Sequence, residues 1–123
     1  MADIYTDAGE EQIVDLIDGV GSTHLDNTNG KIAWGTGAGT AAKGDTTLFT
    51  EGSESRVAVT TSQPAIDTNQ WVGTITADGT KTITNAGLFN AASGVTLIVK
   101  GDFAGIPVVL NDQIEFTITL QQT

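Results

Sequence analysis

Gln113-Ile-Glu-Phe-Thr-Ile-Thr-Leu120 is the stretch on which the fold turns. Ile114, Phe116, Ile118 and Leu120 fall on one side of an extended chain, and Glu115, Thr117 and Thr119 on the other. Successive side chains of a strand point to opposite faces, so this segment has one dry face and one wet face. Shorter stretches of the same kind recur upstream: Lys31-Ile-Ala-Trp34, Arg56 to Thr61, roughly 70–77, roughly 80–86, Val95 to Val99, and the apolar Pro107-Val-Val-Leu110. Turn-forming residues separate them, with Gly101-Asp-Phe-Ala-Gly105 reading as a further break. Many short strands at fairly even spacing predict an all-β fold, an antiparallel β-sandwich of jelly-roll-like form.

A chain of 123 residues suits one domain, 1–123, large enough to bury a real core. Mean hydropathy near zero argues against disorder by composition. No apolar run approaches the roughly 20 residues needed to span a bilayer, and the opening Met-Ala-Asp-Ile-Tyr5 lacks the pattern of a secretory leader. Cysteine is absent, which excludes disulfides, thiolate catalysis and Cys-based metal sites. Net charge is −10 with only 5 Lys and Arg, so neither nucleic acid nor an anionic membrane is an expected partner.

The acidity is concentrated at one end. Asp3, Asp7, Glu10, Glu11, Asp15, Asp18 and Asp26 all precede the first basic residue, Lys31. Such a run is either a solvated end or a segment that docks on a basic partner. Within this 1–30 segment, Asp7-Ala-Gly-Glu10 has the capping-box form, and Ile13, Leu16, Ile17 and Val20 recur at helical spacing with Gly19 or Gly21 as the stop. The spacing predicts one short α-helix over about 8–18, whose apolar stripe packs on its own sheet or on a neighbouring subunit. The sandwich then occupies 31–120, interrupted by a small-residue loop over 35–45.

Asp78-Gly79 between two alternating segments predicts a β-hairpin. Its register is awkward. A two-residue loop sets Ile75 opposite Thr82 and Ile83 opposite Thr74, placing the two isoleucines on different faces. Either the loop is one residue longer, or both faces are partly covered.

The chemical motifs fail on their spacing. Gly35-Thr-Gly-Ala-Gly39 lacks the third glycine of a dinucleotide loop at its proper place, and Lys43 follows alanine where a P-loop needs glycine. That loop reads as a flexible surface segment or an extended arm. His24 is the single histidine, without partners for a triad or a zinc site. Asp26-Asn-Thr-Asn-Gly30 departs from a calcium loop at its third and twelfth positions. Trp34 and Trp71 fit a core better than a sugar-stacking platform, and Arg56 is expected to pair with a carboxylate. No catalytic residue, cofactor or metal is expected, and the chain reads as a non-enzyme.

Ala33-Trp-Gly-Thr-Gly-Ala-Gly-Thr-Ala-Ala-Lys-Gly-Asp-Thr-Thr-Leu-Phe-Thr-Glu51 is similar to a segment of small virion proteins of tailed bacteriophages. So is Val72-Gly-Thr-Ile-Thr-Ala-Asp-Gly-Thr-Lys-Thr-Ile-Thr-Asn-Ala-Gly-Leu-Phe89, continuing through Leu97-Ile-Val-Lys-Gly-Asp-Phe103 to the last strand. The resemblance covers 33–120. It implies a head decoration or cement protein: a structural virion protein, made in the host cytoplasm, that binds the major capsid protein on the outer surface of the phage head as a homo-oligomer, dimer or trimer. On that reading the partner-contacting residues are Ile13, Leu16 and Ile17 of the helix and Gly35, Gly37, Gly39 and Lys43 of the loop. A tail-fibre or collar-associated protein, as a carbohydrate-binding module using Trp34, Trp71 or Tyr5, is the alternative.

Overall fold

Two antiparallel sheets lie face to face, with one short helix beside them, in a computed structural model that describes residues 2–19, 24–93 and 97–122. The described strands are β1 (Ala2–Tyr5), β2 (Lys31–Gly35), β3 (Val57–Ala58), β4 (Thr60–Ala65), β5 (Thr68–Thr76), β6 (Lys81–Phe89), β7 (Leu97–Val108) and β8 (Gln113–Gln121), and the helix is α1 (Asp7–Asp18). The wide sheet has the order β1-β7-β6-β2-β3 and the narrow one β4-β5-β8. This is the expected all-β sandwich with a single helix. Val20, Gly21, Gly94 and Val95, to which sequence reasoning gave a helix position, a helix stop, a turn and a strand start, lie outside the described residues.

The predicted hairpin at Asp78-Gly79 does not form. β5 pairs with β4 and β8 in the narrow sheet, whereas β6 pairs with β2 and β7 in the wide one. The link 77–80 therefore crosses between sheets, which dissolves the register conflict. Ile75 and Ile83 point inward from opposite layers, at 1% and 0% exposure, into one core. Burying both stabilises the fold by a few kcal/mol, which outweighs a favourable turn dipeptide. The link 109–112 crosses back at the same end, and the two links bind each other through Ala77 N–H to Asp112 O (2.7 Å) and Asn111 N–H to Ala77 O (2.9 Å). A two-residue turn at Ile66-Asp67 instead joins β4 to β5, with Pro64 tolerated on the outer strand of the narrow sheet.

Residues 101–105 do not end a strand. β7 runs unbroken through them, and its register against β6 shifts between Ile83 and Asn85, so the apparent break is a bulge. β1, which sequence reasoning missed, pairs with β7 from Ala2↔Asp102 to Tyr5↔Val99. The main core lies between the sheets around Ile32, Trp34, Trp71, Ile75, Ile83 and Leu88, with Phe116 edge-on to Trp34 at 6.3 Å. A second, smaller core lies on the outer face of the wide sheet, where Leu48 covers Ala33, Phe89 and Leu97.

Candidate functional site

The helix starts one residue earlier than its apparent capping box. Thr6 is the N-cap, accepting from Gly9 N–H at 3.1 Å, so Glu10 falls one place too late to complete the box. The choice is made by distant partners. The buried Thr6 hydroxyl also lies 2.6 Å from Leu97 O and 2.9 Å from Ile98 O, and Thr6 N–H donates to Ile98 O at 3.0 Å. Asp7 is instead drawn to Lys43, its N–H donating to Lys43 O at 3.0 Å and its carboxylate 3.2 Å from the ammonium. The helix ends at Gly19 in the left-handed conformation, φ 74°, its N–H returning to Asp15 O.

α1 approaches β7 through its small and polar residues. At Gly9 a Cβ atom would stand 2.6 Å from both Ile98 O and the Tyr5 ring, so only glycine permits this contact. Tyr5 OH donates to Gly9 O at 2.7 Å, and Asn90 donates to the buried Gln12 side chain at 2.9 Å. Burial, then the negative charge of Glu10, pushes the Tyr5 phenol up to about 12. The predicted apolar stripe is consequently turned away from the core. Leu16 is 40% and Ile17 80% exposed.

That stripe forms one wall of a groove of about 420 Å³. Ile13, Leu16 and Ile17 face Leu120 and Gln122 of the β8 end, with Tyr5, Trp71 and Ile98 also lining it. His24 and Leu25 close one side, where Leu25 O accepts from the Trp71 indole at 2.9 Å. No lysine or arginine lines the groove. Near its ends Asp26 follows Leu25 and Asp67 accepts from Gln122 N–H through its backbone carbonyl, while on α1 Glu11 and Asp18 fall on the helix face away from the groove and Glu10 pairs with Lys43. An apolar groove without lysine or arginine, on a chain of net charge −10, is suited to holding a cationic, apolar-bearing partner.

The loop residues are placed differently. Gly35 closes β2 and is buried, with no room for a side chain against Phe49 O and Asn85, and Gly37 N–H donates to Phe49 O at 2.8 Å. The ring of Phe49 packs on Gly39. Asn85, fully buried, accepts from Phe49 N–H and donates to Phe49 O, while Ala41 N–H donates to Asp102. Lys100, 1% exposed, reaches Asp45 and Thr47 O, each at 2.9 Å, and lies 3.2 Å from the Phe49 ring centre. The expectation of an extended arm is corrected accordingly: residues 36–50 are folded over the outer face of their own wide sheet. Lys43 ties this cover to α1, 2.6 Å from Glu10 and 3.2 Å from Asp7. The hydrogen bond to Glu10 is the largest cause of its raised pKa.

Comparison with family models, with curated proteins and with solved structures finds no match to this chain. What the chain does must be read from its own surfaces. Among the described residues no group of three or more His, Asp or Glu side chains gathers as metal ligands would. Asp26 spends its carboxylate on Asn29 and Thr28 N–H groups, the bonds that hold its pKa down. Trp34 and Trp71 are core residues, as expected, and Arg56 makes a two-pronged pair with Glu51 at 2.9 and 3.0 Å over the Phe89 ring. Missed by sequence reasoning were Leu120 and Gln122, which the fold brings to the groove beside Tyr5, an aromatic that sequence reasoning offers only for sugar stacking; the alternation of β8 was the one signal for Leu120.

Proposed function

We propose that this chain is a structural protein of a tailed-phage virion that decorates the outer surface of the head, binding the major capsid protein lattice as a cement, and that it does no chemistry. The observation that carries this reading is the apolar helix stripe, in which Ile13 is half-buried and Leu16 and Ile17 stand exposed. An exposed apolar strip framed by charge is the mark of an attachment surface. The resemblance over 33–120 supports the virion setting, and the Thr-rich outer face of β8 suits a durable exposed sheet. Many modest contacts, repeated on a symmetric shell by a homo-oligomer, add up to lasting attachment.

The test is sedimentation of purified protein with bare capsids, counting bound copies per particle. Native protein saturates at a fixed number of copies. Ile17→Asp binds poorly, while Ile66→Asp, at the exposed tip between β4 and β5, binds as the parent does. Failure to sediment with capsids, or equal occupancy by all three proteins, overturns the reading.

A further inference from the structure

Among the described strands, the last has one neighbour. β8 pairs with β5 over all nine residues, from Thr68↔Gln121 to Thr76↔Gln113, and is the terminal strand of the narrow sheet. Half of its backbone N–H and C=O groups therefore point away from β5, toward an edge that no other described strand occupies. Natural edges are blunted by proline, lysine, bulges or brevity. This one has none of those devices, and Glu115 is its single charge.

The side chains agree with the backbone. Ile114, Phe116, Ile118 and Leu120 point inward yet remain only half-buried. The narrow sheet has three strands against five, and at the Leu120 end α1 stands across the groove from β8. The open edge thus leads into the groove, whose far wall carries Leu16 and Ile17.

Charge selects the occupant. Lys43, Arg56, Lys81 and Lys100, four of the five basic residues, are engaged in ion pairs within the chain. No lysine or arginine is left near the edge and groove, Glu115 stands on the edge strand itself and Asp67 at its Gln121 end, and the chain as a whole stays strongly negative. A second copy would bring another net −10 to the same place.

We infer that β8 and the α1 groove together take up an extended, cationic segment of a protein partner as a fourth strand of the narrow sheet. The guest's backbone pairs with the open edge. Its inward side chains are apolar and reach the groove floor, and its outward ones are lysine or arginine beside Glu115. Main-chain pairing supplies affinity and the alternating side chains supply selectivity. The inference rests on the proposed function only for the source of the segment, the capsid protein.

A fluorescent eight-residue peptide of alternating lysine and valine is the probe, titrated against the full chain and followed by anisotropy. It binds, and binding weakens as salt is raised. Three peptides should lose affinity by about tenfold or more: one with glutamate for lysine, one with the lysines gathered into a block, and one N-methylated along the pairing edge. Ile17→Ser, which removes the apolar contact without adding charge, should weaken the parent peptide about as much, with an unchanged circular dichroism spectrum. Equal binding of the N-methylated or blocked peptide, insensitivity to Ile17→Ser, or no binding of the parent peptide overturns the inference. Peptide binding without capsid binding overturns the proposed function alone, and capsid binding without peptide binding overturns this inference alone.

Discussion

Lys100→Met tests whether the 36–50 segment is a structural cover. Methionine keeps most of the length of lysine, so the substitution removes charge and hydrogen bonding without opening a large void. It deletes two charge-assisted bonds, to Asp45 and Thr47 O, and the contact with the Phe49 ring. At about 1.5–3 kcal/mol for each bond and about 1 kcal/mol for the ring, the gross loss is roughly 4–7 kcal/mol. Two effects offset part of it. The variant no longer has to desolvate an ammonium group, and Asp45 is partly exposed and keeps its bond from Ala42 N–H. A net loss of about 2–4 kcal/mol remains, or a fall in Tm of about 8–15 °C for a domain of this size.

The pH dependence supplies the internal check. The Lys100 hydrogen bond is the largest cause holding the Asp45 carboxyl below its usual range. The unfolded chain therefore takes up the proton first as pH falls. Stability from this pair is complete above the unfolded value of about 4 and is lost as pH drops through the folded one. Urea unfolding of both proteins at neutral pH and at successively lower pH measures this. The gap should be widest at neutral pH and shrink on acidification. A neutral-pH difference below about 0.5 kcal/mol would refute the account of the segment as a pinned cover.

Leu48→Ala, deleting the residue that covers Ala33, Phe89 and Leu97, should cost about 2–4 kcal/mol in the same unfolding assay. Gly9→Ala should raise a clash with Ile98 O and the Tyr5 ring, costing about 1–3 kcal/mol and lowering the protection of α1 amides in hydrogen exchange. Tyr5 is the single tyrosine, so near-ultraviolet absorbance reads it alone, and its midpoint should lie about 12. Because that value exceeds the unfolded one of about 10, its contribution to stability is whole below pH 10 and declines above it. Ile17→Asp should leave unfolding free energy within about 0.5 kcal/mol of the parent, being almost wholly on the surface.

The parts of this fold that were legible in sequence are those with a local period. Alternation in 113–120 and helical spacing in 13–17 gave β8 and α1 nearly to their ends, because burial on one side imposes those periods. Features decided by distant partners were hidden. Asp78-Gly79 looks like a hairpin from within, and only the pull of two buried isoleucines on different layers reverses it; their awkward register was the visible sign. Thr6 displaces Asp7 as the cap through carbonyls some ninety residues away. The 36–50 cover has no period, since it is fixed by Lys100 and Asn85 rather than by a face of its own. Of the candidate site, the helix stripe was readable and the groove was not, because Tyr5, Trp71 and Leu120 meet only in the folded chain.

The pairing of β1 with β7 governs when the molecule becomes complete. Residues Ala2 to Tyr5 are synthesised well before their partners at 99–102, and α1 gains its footing on Ile98 only when those arrive. The far wall of the groove comes later still, with Leu120. Contacts this distant in sequence make for slow closure. A chain cut before Leu120 therefore lacks one wall of the groove, however well its helix has formed.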